Sequence, residues 1–188
     1  MNHTLRELLK IDISSNLRGV KGGRLARLNA FLRSPGIQAI VAFRFGHWIV
    51  DRGMLVKLFL QPLYIYLNHR VRMRWGIEIH RQATIGPGLR LVHYGGIFIG
   101  GKVVIGKNCL IAHDVTIGLS ERAFRTGSPT IGDDVTIGPG VKIIGPITVG
   151  NNVRIGPNSL VTKDVPDNAR VALESTRSVI FPESKTED

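Results

Sequence analysis

The residues best suited to acid–base chemistry in this 188-residue chain are His93 and Glu78. A neutral imidazole can remove a proton from a hydroxyl, and a carboxylate beside it orients the ring and stabilises the imidazolium that forms. Glu78 precedes His93 by fifteen residues, which is close to one turn of an 18-residue coil. Such a coil would place Glu78 about one turn below His93, as a general-base pair. The alternative interpretation is an ordinary corner histidine.

A third candidate is His113, which follows His93 by twenty residues and precedes Asp114. We expect His113 at a corner of the coil, where it either approaches the same cleft, approaches that of a neighbouring subunit, or has no catalytic role. His80, close to Glu78, is predicted to be structural. No metal is expected, because the His, Cys and Asp residues lack metal-site spacing. The sequence also lacks a P-loop, a Rossmann glycine pattern and a Gly-x-Ser-x-Gly motif.

A six-residue repeat must position these side chains. Each hexad predicts a short strand with its aliphatic residue pointing inward, followed by small or polar residues that turn the corner. Three strands and three corners form one 18-residue coil, so thirteen hexads predict about four coils of a parallel β-helix. The aliphatic residues are Ile79, Ile85, Leu91, Ile99, Ile105, Ile111, Ile117, Ile131, Ile137, Ile143, Val149, Ile155 and Val161.

Two interruptions break this repeat. The first is a two-residue slip between Leu91 and Ile99, which displaces the segment His93-Tyr-Gly-Gly96 from the coil. The second is the segment Leu119–Pro129, which is predicted to leave the coil as a loop. Irregular segments on a rigid scaffold are where binding and catalytic residues concentrate, so both are candidate sites.

The part of the chain before the repeat is predicted to be helical. Ser34 is a good N-cap with Pro35 at the first helical position, so helices are predicted at 35–50 and 54–70 and further helix within 1–33. The fold class is therefore mainly β, with a small α-helical N-terminal segment before the β-helix. The predicted divisions are a basic helical segment at 1–75, a β-helix domain at 76–180 and a polar tail at 181–188.

Positive charge is concentrated in the N-terminal part. Residues 1–76 carry 13 Lys and Arg against three acids, whereas residues 77–188 carry 12 against 11. This asymmetry indicates either an anionic partner, such as a membrane surface, a nucleic acid or a phosphorylated substrate, or a solvated basic face. Nucleic acid is not expected as a partner, because the sequence has no recognised motif or interleaved aromatic platform.

The stretch 37–67 is apolar but is interrupted by charged residues, so the basic segment 37–74 predicts amphipathic helices rather than a membrane span. Such helices are suited to peripheral contact with a membrane. The first 20 residues lack the apolar region of a secretory signal, and the single cysteine, Cys109, favours a reducing compartment. We therefore expect a cytoplasmic protein, with contact at the inner face of the membrane as a further hypothesis.

The segments Gly76–His80, 83–89 and Val115–Gly118, together with His93, resemble the serine acetyltransferase family of hexapeptide-repeat enzymes. The segment Ala42–Trp48 is similar to the helix before that family's β-helix. The resemblance implies a left-handed coil and direct attack of a hydroxyl on acetyl-CoA. It further implies that His93 is the catalytic base and that Glu78 supports it.

The resemblance also implies a homotrimer, with acetyl-CoA as cosubstrate in a groove between adjacent subunits. Glycine and proline corners would admit the pantetheine arm, and basic side chains would meet its phosphates. The positions that match this groove are Gly118, Pro139, Arg154, Pro157 and Lys163.

Three candidate substrate positions depart from the serine-specific pattern. Val92 and Ser34 stand where those enzymes carry aspartates, and Gly127-Ser128 stands in place of an Arg-His pair. A zwitterionic acceptor would lose charge-assisted hydrogen bonds at these positions. The basic N-terminal part, His113 and the turn Pro166–Ala169 resemble more closely the short members found in exopolysaccharide and colanic acid biosynthesis. The sequence therefore predicts acetylation of a sugar hydroxyl, with serine as the alternative acceptor.

Overall fold

The computed structural model describes residues 3–119 and 126–173, in which four helices precede a three-sided parallel β-helix. The helices are α1 (Leu5–Asn16), α2 (Arg24–Arg33), α3 (Pro35–Val50) and α4 (Met54–Trp75). The strands are β1 (Ile77–Ile79), β2 (Thr84–Ile85), β3 (Arg90–Leu91), β4 (Ile97–Ile99), β5 (Val104–Ile105), β6 (Leu110–Ile111), β7 (Thr116–Gly118), β8 (Thr130–Ile131), β9 (Thr136–Ile137), β10 (Lys142–Ile144), β11 (Thr148–Val149), β12 (Arg154–Ile155), β13 (Leu160–Val161) and β14 (Arg170–Val171).

Each strand from β4 to β13 stacks in parallel on the strand three positions before it, and β14 stacks on β12, which produces three sheets. Sheet 1 contains β1, β4, β7, β10 and β13; sheet 2 contains β2, β5, β8 and β11; sheet 3 contains β3, β6, β9, β12 and β14. The aliphatic residues of the repeat point into the space between the sheets and form one continuous buried core. The predicted left-handed parallel β-helix of about four coils, preceded by a helical segment, is confirmed.

The register of the paired strands gives the number of residues in each coil. Ile99 pairs with Ile117, so a regular coil has 18 residues. Ile79 pairs with Ile99, so the first complete coil has 20 residues and contains two additional ones. The coil from Ile117 to Ile143 has 26 residues, and its additional residues belong to the predicted loop at Leu119–Pro129. Of that loop, residues 120–125 lie outside the described residues.

The helix prediction is confirmed, with one difference at the end of α4. Ser34 caps α3 by accepting a hydrogen bond from the N–H of Ile37 at 3.3 Å. The predicted helix 54–70 continues to Trp75, because nothing in that stretch breaks it before Gly76, which takes the left-handed conformation at φ 61°. The predicted tail at 181–188 and the end of the predicted β-helix domain lie outside the described residues.

A buried ion pair holds α1 and α3 against the first coil. Arg44 donates from Nε to a carboxylate oxygen of Asp12 at 2.8 Å, and the two side chains are 2 % and 0 % exposed. The other oxygen of Asp12 accepts from the N–H groups of Gly88 and Leu89 at 2.7 and 3.1 Å. Arg44 also donates to the carbonyls of Ile85 and Gly86, so the pair satisfies backbone groups at the open edge of the first coil.

We expect Asp12→Ala to destabilise the fold by about 3–5 kcal/mol, because it leaves the buried guanidinium of Arg44 without its charge partner. Urea unfolding followed by circular dichroism at constant protein concentration measures this loss. Lys107→Ala is the matched control, since it removes an exposed ion pair with Asp133 at 4.0 Å that contributes under about 1 kcal/mol. Equal losses of unfolding free energy in the two variants would show that the buried pair stabilises the fold no more than the exposed pair does.

The thiol of Cys109 is predicted to be inert in the folded protein. Its side chain is fully buried and lies 3.2 Å from the carbonyl oxygen of Gly132, and burial raises the pKa of the thiol to about 11. Because the thiolate is the reactive species, Ellman's reagent should label Cys109 only after unfolding. Complete labelling of native protein within the mixing time would contradict this prediction.

Candidate active site

His93 and Tyr94 are the two additional residues of the first complete coil. Val92 donates to the carbonyl of Ile111 at 3.0 Å, and Asp114 donates to the carbonyl of Gly95 at 2.8 Å, so the regular stacking stops after Val92 and resumes at Gly95. The two residues between therefore project from the corner that joins sheet 3 to sheet 1. His93 is exposed and has a left-handed backbone, with φ 53°.

The two candidate histidines lie side by side. The ring centroids of His93 and His113 are 5.9 Å apart, and the ring planes meet at 87°. His113 occupies the same corner one coil further along and is also exposed. The fold therefore brings His113 close to His93 within one subunit, which is one of the predicted alternatives. A role of His113 in catalysis stays a prediction.

Glu78 is on the outward side of β1, between the buried residues Ile77 and Ile79. Glu78 of β1 pairs in register with Phe98 of β4, and Phe98 follows His93 along the chain. The carboxylate of Glu78 lies 3.7 Å from Nε of Arg72, and both side chains are about half exposed. No hydrogen bond joins Glu78 to His93 in the described residues, so the support of His93 by Glu78 stays a prediction.

The candidate cofactor residues divide between two corners. The carbonyl of His113 accepts from Gly140 at 3.0 Å and that of Pro139 accepts from Asn158 at 2.8 Å. His113, Pro139 and Pro157 consequently form one column at the corner between sheets 3 and 1. Arg154 lies on β12, the strand that leads into that corner. Gly118 and Lys163 instead lie at the other edge of sheet 1, where it meets sheet 2.

The candidate substrate residues divide in the same way. Gly36 packs so closely on β3 that a Cβ there would lie 2.8 Å from the carbonyl oxygen of Leu91, which brings the Ser34 end of α3 close to Val92. Val92 directly precedes His93, so these two positions share its corner. Ser128, however, precedes β8 and sheet 2, so it lies with Gly118 and Lys163 at the opposite edge of sheet 1.

Sequence reasoning missed two ion pairs, of which one lies beside His113 and the other on β1. Lys142 donates from Nζ to the carbonyl of Asp114 at 2.7 Å and to its carboxylate at 3.1 Å. Arg72 pairs with Glu78, as described above. The inward–outward alternation of sheet 1 contained a signal for Lys142, which occupies the outward position of β10 beside the buried Ile143. Arg72 had no signal, because the end of α4 meets β1 only in the folded chain.

No group of three or more metal-binding side chains occurs in residues 3–119 and 126–173. Within the same residues, no helix combines the length and hydropathy that crossing a bilayer requires.

Comparisons with known proteins assign the family. Residues 128–163 match the model of the family described as bacterial transferase hexapeptide (six repeats). The serine acetyltransferase of Synechococcus elongatus is 37% identical over 144 residues, which cover 77% of this chain and 57% of the relative.

Two crystal structures agree with this assignment. Serine acetyltransferase isoform 3 of Entamoeba histolytica, in complex with cysteine, has a TM-score of 0.77 at 33% identity and covers 95% of this chain and 62% of its own. The Neisseria gonorrhoeae serine acetyltransferase, in complex with serine, has a TM-score of 0.73 at 31% identity. The match covers 91% of this chain and 67% of the Neisseria chain. The chain belongs to the hexapeptide-repeat transferases, and the proteins that it matches are serine acetyltransferases. It spans little more than half the length of the curated relatives it matches.

These relatives contradict the sugar acceptor predicted from the sequence. Each of them is a serine acetyltransferase, and the link to exopolysaccharide and colanic acid biosynthesis is not supported. The error has a physical cause. The absence of charges at Ser34, Val92 and Ser128 does not show which charges other elements contribute. The folded chain places the pairs Lys142–Asp114 and Arg72–Glu78 on sheet 1 and its corner.

Deletion of residues 93–94 should leave the fold intact, because it restores an 18-residue coil and removes one strained left-handed position. We expect the midpoint of thermal unfolding to change by less than about 4 °C. Deletion of residues 107–108 is the control, since that corner contains no additional residue and its loss shifts the inward side chains out of register. Comparable destabilisation by both deletions would show that His93 and Tyr94 are part of the regular coil.

Proposed function

We propose that this chain is an acetyl-CoA-dependent O-acetyltransferase whose acceptor is the hydroxyl of L-serine. One observation carries the proposal. An exposed histidine, His93, is projected from a corner of the coil by a two-residue insertion, in a chain 35–37% identical to serine acetyltransferases. Similarity over 77–79% of the chain supports the acceptor as well as the donor.

In the proposed reaction His93 acts as the general base. Its unprotonated ring nitrogen removes the hydroxyl proton while the serine oxygen attacks the thioester carbonyl carbon. The C–S bond then breaks, and the imidazolium returns the proton to the sulfur, which yields O-acetylserine and free CoA. Exposure of His93 supports this role, because an acceptor and a thioester must both reach the ring from solvent.

Neighbouring side chains position the base. The ring of His113 packs edge-on against that of His93, which restricts the orientations the imidazole adopts. Glu78 supplies a carboxylate on the adjoining face of sheet 1, and Arg72 restrains that carboxylate at 3.7 Å. In this proposal Glu78 turns toward His93 and stabilises the imidazolium when the acceptor is bound.

The ion pairs on sheet 1 and its corner supply charges for a zwitterionic acceptor. Lys142 and Arg72 are cations suited to the serine carboxylate, and Asp114 is an anion suited to its ammonium. Their side chains are 38–65% exposed, so exchanging an internal partner for the substrate requires little desolvation. They would replace the charges absent at Ser34, Val92 and Ser128.

The cofactor site is proposed to lie between subunits of a homotrimer. The corner column of Pro139 and Pro157 continues from His113, so a pantetheine arm lying along it would deliver its thioester to the histidines. Gly118 and Lys163 are at the far edge of sheet 1 from this column. A groove formed by two subunits unites both sets, with Arg154 and Lys163 as phosphate partners.

His93→Ala should reduce kcat by about 10²–10⁴-fold with acetyl-CoA and L-serine, because it removes the general base. Release of the CoA thiol, followed with a chromogenic disulfide, measures turnover. His69→Ala is the matched control, since His69 is an exposed histidine on α4 and is expected to leave turnover unchanged. Circular dichroism must show that both variants are folded. Absence of turnover with L-serine in the unmodified protein would overturn the proposed acceptor.

A further inference from the structure

The outward face of α4 is apolar, which is the reverse of what a helix on a protein surface normally presents to water. Leu55 is 69% exposed and Phe59 is 74% exposed. Eleven of the seventeen large apolar side chains exposed in residues 3–119 and 126–173 belong to α2 and α4. Those on α4 are Met54, Leu55, Leu58, Phe59, Leu63, Ile65, Tyr66 and Met73.

These side chains form a single face. At 100° per residue, the exposed apolar positions from 54 to 73 fall within about half of the helix circumference. The two buried residues of the helix, Tyr64 and Val71, lie on the opposite half. An apolar face of this extent marks a surface that another phase or molecule covers.

The helices that carry and flank this face have charged side chains of one sign only. Helices α2, α3 and α4 contain no Asp or Glu, and the exposed basic side chains on α4 are Lys57, Arg70, Arg72 and Arg74. Two copies of such a face would bring like charges together, which disfavours self-association through it. An anionic surface with an apolar interior complements both the charges and the apolar side chains.

A groove beside α4 combines the same two chemistries. Its volume is about 780 Å³, and its apolar lining includes Leu58, Pro62 and Ile65. Lys57, His69 and Arg81 line the same groove. Apolar lining with basic side chains matches the junction between the acyl chains and the phosphates of a phospholipid layer.

We propose that α4 is an in-plane membrane-docking helix for anionic phospholipid bilayers. Its apolar face enters the acyl region, and Lys57 and Arg70 contact the headgroup phosphates. Within the segment 37–74, α3 contributes little, because ten of its sixteen residues are buried. The exposed residues Leu25, Leu28 and Leu32 extend the apolar surface onto α2, whose Phe31 lines a small cavity with Arg70 of α4.

Flotation of the full chain with vesicles tests this proposal, which does not depend on the proposed acetyl transfer. The protein should float with phosphatidylcholine vesicles that contain phosphatidylglycerol and at least tenfold less with phosphatidylcholine alone. Raising the salt to about 1 M should weaken the binding, because the Debye length falls to about 3 Å.

The double variant Leu55→Gln with Phe59→Gln should reduce vesicle binding at least tenfold, and Lys57→Gln with Arg70→Gln should reduce it similarly. Leu173→Gln is the matched control, because Leu173 is 58% exposed but lies at the far end of the β-helix, and it should bind as the unmodified protein does. Circular dichroism and light scattering establish that each variant keeps its fold and its mass.

Three results would overturn the proposal. The first is failure of the unmodified protein to bind anionic vesicles. The second is binding that the α4 variants leave unchanged. The third is a fall in the mass of the assembly in the Leu55→Gln, Phe59→Gln variant. The apolar face would then be an interface between copies of the chain.

Discussion

The stacking of one coil on the next, with an aliphatic side chain from every strand pointing inward, is the constraint on which the rest of the structure depends. Strands that pair in parallel lie about 4.8 Å apart, so each coil must repeat the path of its predecessor. Ile99, Ile117 and Ile143 accordingly occupy one column, and each is fully buried. A residue that exceeds the 18-residue period has no place in this column and must project outward.

The first coil faces the same requirement at its open edge, where no earlier coil supplies hydrogen-bond partners. The helical segment meets it with side chains. Asp12 and Arg44 satisfy four backbone groups of that coil, and Asn16 bonds to both the carbonyl of Leu89 and the N–H of Leu91. The helices are therefore an end cap that protects a strand edge from pairing with another chain. Their other faces remain available for contacts outside the subunit.

The candidate site follows from these two features. An insertion of two residues projects His93 from one corner, and the next coil holds His113 beside it at 5.9 Å. The cap brings the start of α3 onto β3 next to Val92 and the end of α4 onto β1 next to Glu78. Residues from a helix, a sheet and a corner thus meet at one edge of sheet 1. The opposite edge carries Gly118 and Lys163, which is the reason a site shared between subunits is proposed.

The sequence alone determined the β-helix, the helices before it and the position of the insertion at His93, because a strict six-residue period leaves one way to bury the aliphatic residues. It did not determine the acceptor, since absent charges at three positions say nothing about charges that other elements contribute. Only the tertiary structure brought Lys142 to Asp114 and Arg72 to Glu78. It likewise decided that α3 is buried while α4 exposes an apolar face, because helix packing on the first coil selects which side of each helix meets water.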